Sequence, residues 1–82
     1  MSLIGPEQIE QILVQEWSEL LPEAAVDAES NIFSLGAHSL MIGRVASRCR
    51  SRHGLDLEFA AFFEFPVIRD LARSVGEPAA AS

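Results

Sequence analysis

Two segments of the chain, residues 6–20 and 39–53, repeat apolar residues at intervals of three and four, and this period constrains the fold most strongly. It places apolar side chains on one face of an α-helix, and that face must pack against another element. Pro6 suits the first position of the earlier helix, and Pro22 ends that helix. Gly54 favours termination of the later one. The sequence therefore predicts two long helices.

The rest of the chain predicts a long loop and two further helices. Residues 21–37 show no sustained period, and only residues 30–33 favour a short helical turn. Residues 59–63 predict a short helix that Pro66 interrupts, and residues 67–75 predict a final helix. The expected fold class is all-α, a small four-helix bundle of three main helices and one short helix with a long first loop.

The length of the chain fits one domain over residues 1–82, with a core of about 6–75 and a flexible tail over 76–82. The single cysteine, Cys49, excludes an internal disulfide, and with two histidines it makes no plausible structural zinc site. The fold therefore depends on apolar packing, in which we expect Phe33 to anchor the long loop. The aromatic residues expected in the core are Trp17, Phe33, Phe59, Phe62, Phe63 and Phe65.

Charge is unevenly distributed along the chain, whose net charge is -6. Residues 1–38 contain seven acidic and no basic residues, whereas residues 39–54 contain four arginines and no acid. An acidic domain is a poor binder of phosphate backbones, so we expect no nucleic-acid partner. The apolar runs are too short for a membrane span, and the N-terminus lacks a secretory signal. We predict a monomeric, cytoplasmic domain that binds no membrane.

Ser39 stands where the long loop becomes the second long helix. The first backbone N–H groups of a helix lack partners, and the helix dipole there favours a negative group by about 0.3–1 kcal/mol. A phosphate on Ser39 would therefore be stabilised. Serine is also a favoured N-cap, worth about 0.5–2 kcal/mol over alanine. Spacing alone favours capping over chemistry.

A longer motif changes this interpretation. Residues 31–40, Asn-Ile-Phe-Ser-Leu-Gly-Ala-His-Ser-Leu, resemble the phosphopantetheine attachment site of acyl and peptidyl carrier proteins. Residues 55–72 resemble the C-terminal half of the same family, with its short helix, proline and final helix. The resemblance covers about residues 7–75 and implies the four-helix plan described above. The cofactor-binding residues that it implies are Ser39, which would bear 4′-phosphopantetheine, and the neighbouring His38 and Gly36.

This resemblance implies a carrier without catalytic activity of its own. A phosphopantetheinyl transferase would attach the group from coenzyme A, and acyl or aminoacyl groups would be held on its thiol as thioesters. Further implied partners are an adenylation or loading enzyme and condensation, ketosynthase or thioesterase-type enzymes. His38 is similar to the residue found in peptidyl carriers of nonribosomal peptide synthesis. The alternatives are an acyl carrier for polyketide or fatty-acid synthesis and a small helical adaptor without cofactor.

Arg44, Arg48 and Arg52 are spaced so that they share one face of the second long helix. This face is either solvated or a docking surface, and the acidic remainder of the chain disfavours a DNA-recognition helix. Acyl carriers of fatty-acid synthesis typically present an acidic second helix, so the basic face also favours a peptidyl carrier. The candidate partner-docking residues are Leu40, Met41, Arg44 and Arg48.

Two other chemistries fit the sequence poorly. A hydrolase with Ser39 as nucleophile needs a base, but adjacent helical residues such as His38 diverge by about 100°, and the Gly-x-Ser-x-Gly pattern is absent. Cys49 and His53 have ligand-like spacing, but two ligands do not make a zinc site. Cys49 shares a helix face with Val45, which predicts a thiol in the core.

Overall fold

The computed structural model describes residues 5–76 and contains four α-helices in that range. They are α1 (Pro6–Leu20), α2 (Ser39–His53), α3 (Phe59–Glu64) and α4 (Ile68–Val75). Within residues 5–76 the β structure is confined to an isolated antiparallel bridge between Asn31 and Val67. The predicted all-α, four-helix architecture is confirmed. Gly76 is buried, and the rest of the predicted tail lies outside the described residues.

The apolar core lies between α1 and the helices that pack on its two sides, α2 and α4. Trp17 and Phe62 are fully buried, as predicted, and meet edge to face with ring centroids 6.4 Å apart. This contact fixes α3 to α1. Cys49 is the predicted core thiol, and its burial raises the pKa of the thiol to about 12. The other buried apolar residues are Ile9, Leu13, Ile32, Ile42, Val45, Leu55, Leu57, Ile68, Leu71 and Ala72.

Ile32, and not Phe33, anchors the long loop between α1 and α2. The side chain of Ile32 is 2% exposed, whereas that of Phe33 is 38% exposed. The Ile32 amide donates to the Pro66 carbonyl at 3.0 Å, and the Ile68 amide donates to the Ser30 carbonyl at 3.1 Å. These bonds pair the loop with the segment that enters α4, so the side chain of Ile32 turns inward. The prediction that Phe33 is the buried anchor was wrong, because Phe33 follows the inward-facing Ile32 and its own side chain points outward.

Two phenylalanines of α3 that were expected in the core also lie at the surface. Phe59 and Phe63 are 46% and 48% exposed, while Phe65 is partly buried against the core. A helix as short as α3 buries one face, and Phe62 already occupies it. Phe59 and Phe63 are four residues apart and therefore share a different face, which the core does not reach.

A buried carboxylate joins α1 to α2. Glu16 is fully buried, with Oε1 3.0 Å from Arg48 Nε in an ion pair that lacks hydrogen-bond alignment. Its Oε2 lies 3.4 Å from both Arg52 Nη1 and His53 Nε2. Glu19 pairs with both arginines, and the hydrogen bond from Arg52 lowers the pKa of the Glu19 carboxyl. Since an unpaired buried charge is costly, this cluster ties the position of α2 to α1.

None of the helices in residues 5–76 combines the length and the apolar character that a membrane span requires.

The adjacent residues Ile32 and Phe33 offer a matched test of which side chain anchors the loop. Ile32→Ala should lower the free energy of unfolding by about 2–5 kcal/mol, because it leaves a cavity in the core. Phe33→Ala should cost only about 1 kcal/mol, the worth of an exposed ring contact. Urea unfolding followed by Trp17 fluorescence measures both. Equal losses, or a larger loss for Phe33→Ala, would contradict the assignment of Ile32.

Candidate functional site

A compact turn connects the anchored part of the loop to α2. Asn31 Oδ1 accepts a hydrogen bond from the Phe33 amide at 2.9 Å. The Ile32 carbonyl accepts from the Ala37 amide at 3.1 Å, and the Phe33 carbonyl accepts from the Gly36 amide at 3.2 Å. Gly36 has a φ of +99°, so these bonds close one helical turn at a glycine in the left-handed half of backbone space. The turn predicted near residues 30–33 is therefore present, displaced slightly towards Gly36.

Ser39 is the first residue of α2 and is exposed. The N-cap position belongs to His38, whose backbone is extended and whose side chain makes no capping hydrogen bond. Ser39 is therefore not the N-cap that spacing alone favoured. The Ile42 amide donates to the His38 carbonyl at 3.0 Å, so the amides of residues 39–41 precede the first hydrogen bond of the helix.

These features suit an oxygen that bears a phosphate. The unpaired amides and the helix dipole favour a negative group by about 0.3–1 kcal/mol, and the first turn of α2 contains no acidic residue to repel it. The structure does not support Ser39 as the nucleophile of a hydrolase. His53 cannot serve as its base, because it lies at the far end of α2 beside Glu16. No group of three or more metal-ligating side chains occurs in the described part of the chain.

The predicted docking residues fall into two groups. Leu40 is 76% exposed, Met41 is partly buried against the core, and Arg44 is exposed with no ion pair in residues 5–76. Leu40 and Arg44 are four residues apart and share a face of α2 next to the candidate site. Arg48 instead belongs to the ion-pair cluster around Glu16. Of the three arginines that share one face of α2, Arg48 and Arg52 are thus in ion pairs, and Arg44 is available to a partner.

Near the turn, the fold assembles a surface that the sequence did not predict. The ring centroid of Phe63 lies 5.5 Å from that of Phe33 and 5.3 Å from that of Phe59. These three exposed rings, called here the aromatic surface, join the turn before α2 to α3. The spacing of Phe59 and Phe63 on a helix too short to bury both was a signal for exposure. No pattern in the sequence indicated that Phe33 would join them.

Two glycines test whether the turn depends on its left-handed residue. Gly36→Ala should lower the free energy of unfolding by about 1–2 kcal/mol, because an L side chain is strained at this positive φ. Gly43→Ala is the matched control, since Gly43 lies inside α2 and an added Cβ would meet no atom within 4 Å apart from its chain neighbours and the backbone of its own helix. It should raise stability by about 0.5–1 kcal/mol. Thermal unfolding of both variants checks this, and equal signs would rule out a strained turn.

The chain is similar to known proteins over most of its length. The family model described as "Phosphopantetheine attachment site" matches residues 11–75. Phosphinothricin tripeptide synthetase PhsB of Streptomyces viridochromogenes is 39% identical over 66 residues, which cover 80% of this chain and only 6% of the synthetase. A solved structure named "Non Ribosomal PCP domain" is similar with a TM-score of 0.73 at 33% identity, covering 85% of this chain and 88% of that one.

A second solved structure is a non-covalent extended docking domain complex of the Pax NRPS. It has a TM-score of 0.71 at 26% identity and covers 92% of this chain and 73% of that one. Both solved structures share the four-helix fold described above. These two structures and the family match over most of the described residues assign the chain to one family. The chain belongs to the family of proteins with a phosphopantetheine attachment site, whose members carry 4′-phosphopantetheine covalently.

Proposed function

We propose that this chain is a single carrier domain that tethers aminoacyl, peptidyl or acyl intermediates on 4′-phosphopantetheine attached to Ser39. The observation that carries the proposal is the exposed Ser39 at the first position of α2, beside amides that precede the first helical hydrogen bond. The similarity to a tripeptide synthetase favours nonribosomal peptide or related natural-product synthesis over polyketide or fatty-acid synthesis.

Residues of the chain would hold and present the group. When bound, 4′-phosphopantetheine supplies a thiol on a long arm, on which acyl and aminoacyl groups are held as thioesters. Ser39 would provide the oxygen, the first turn of α2 would provide N–H groups and contains no acidic residue, and Gly36 closes the turn that precedes Ser39. Tethering raises the effective concentration of the intermediate at partner enzymes, so the domain needs no catalytic residue.

The partners in this proposal are a phosphopantetheinyl transferase, an adenylation or other loading enzyme, and condensation or thioesterase-type enzymes. Their docking is proposed at Leu40 and Arg44, with Met41 contributing its exposed part. The similarity to a docking domain complex is consistent with partners that are proteins. We propose a monomer that works in the cytoplasm, where the free thiol of Cys49 stays reduced.

Attachment at Ser39 can be tested by intact mass. Incubation with coenzyme A and a broad-specificity phosphopantetheinyl transferase should add one phosphopantetheinyl group to the wild-type chain. Ser39→Ala should gain nothing, whereas Ser47→Ala, a matched change at another exposed serine of α2, should be modified normally. A modified Ser39→Ala variant, or an unmodified wild type, would refute the proposal.

A thiol titration provides a second readout of the same reaction. Cys49 is buried and its pKa is raised to about 12, so the native unmodified chain should react very slowly with a thiol reagent at neutral pH. After modification, one rapidly reacting thiol should appear per chain. Rapid reaction of the unmodified chain would contradict the burial of Cys49.

The arginines of α2 should divide into docking and structural residues. Arg44→Glu should lower kcat/KM for the transferase by roughly ten-fold at low salt without changing the melting temperature. Arg50→Glu is the matched control, since Arg50 is exposed on another face of α2. Arg48→Glu should destabilise the fold by about 3–5 kcal/mol, because it leaves buried Glu16 beside a second carboxylate. Equal rates for Arg44→Glu and wild type would exclude Arg44 from docking.

A further inference from the structure

The aromatic surface is not explained by the stability of the fold. Phe62 is the fully buried residue of α3, and it meets Trp17 in the core. Phe33, Phe59 and Phe63 are each more than one third exposed and contact one another in a continuous row. Contiguous apolar patches of this kind on small proteins commonly mark interaction sites.

The charges around this surface indicate what kind of partner it suits. Glu58 directly precedes Phe59, and Glu64 directly follows Phe63; both acids are exposed and neither forms an ion pair in residues 5–76. Residues 55–68 contain no arginine or lysine. The faces of the phenylalanine rings carry partial negative charge, which attracts cations. Rings and carboxylates therefore favour the same group, a guanidinium or ammonium.

From this juxtaposition we infer that the aromatic surface docks a partner-protein segment that combines apolar side chains with arginine or lysine. The apolar side chains pack against the three rings, and the cations lie over the exposed parts of the ring faces and reach Glu58 and Glu64. A second copy of the chain fits less well, because two such surfaces would bring like-charged carboxylates together. The surface differs from the Leu40 and Arg44 face of α2, whose charge is of opposite sign.

Two synthetic amphipathic helical peptides provide the test. They share the same leucine face, but one carries arginines on its polar face and the other carries glutamates. Fluorescence anisotropy should show that the arginine peptide binds the full chain at least about ten-fold more tightly than the glutamate peptide. Amide NMR shifts should change at the turn before α2 and along α3. Phe63→Gln should weaken binding about ten-fold, because Phe63 contacts both other rings.

Matched controls separate this surface from general attraction to an acidic protein. Val75→Gln removes another exposed apolar side chain, 37% exposed on α4, and Asp70→Asn removes an exposed acid there. Both should leave the affinity unchanged, whereas the double change of Glu58→Gln and Glu64→Gln should reduce the preference for arginine. Ser39→Ala should bind as the wild type does, so this test is independent of the proposed attachment.

Three results would overturn the inference. The first is equal affinity for the two peptides, or no affinity for either. The second is a loss in Val75→Gln as large as that in Phe63→Gln, with circular dichroism showing both variants folded. The third is concentration-dependent dimerisation of the chain alone that Phe63→Gln abolishes, which would assign the surface to a second copy.

Discussion

The buried carboxylate of Glu16 is the contact on which the arrangement of the two long helices depends. It lies in the interface between α1 and α2 and is compensated by Arg48 and Arg52, with His53 Nε2 at 3.4 Å. Apolar packing is non-directional, so it can bring two helices together without specifying how one is rotated about its axis. Ion pairs with defined distances add that specification, because leaving this carboxylate unpaired would be costly. The rotation of α2 in turn determines which of its residues face solvent.

This charge cluster also lowers the net positive charge that α2 presents to a partner. Arg48 and Arg52 pair with Glu16 and Glu19 of α1, which neutralise their charge. Arg44 remains exposed on the same face as Leu40 and close to Ser39 in sequence. A helix that reads as strongly basic therefore presents much less positive charge to a partner than its composition indicates.

The surface of the domain is chemically asymmetric. Leu40 and Arg44 are exposed on α2, and the aromatic surface is exposed with Glu58 and Glu64 at the two ends of α3. Patches of opposite charge restrict the orientations in which a partner that contacts both can approach, since a rotated complex would place like charges together. The anchored loop contributes to this asymmetry, because the residue that follows Ile32 is directed towards α3 and not into the core.

The sequence by itself determined the secondary structure and the candidate site. Helical periods, prolines and glycines are local signals, so α1 and α2 were predicted with the bounds found, and the motif around Ser39 was recognisable from consecutive residues. Which large side chains are buried was decided by the tertiary structure. Ile32 is buried where Phe33 was expected, because the loop pairs with the segment before α4. This pairing joins residues that are far apart in the chain. The pairing of Arg48 with Glu16 is equally non-local, and no spacing along one helix can reveal a partner on another.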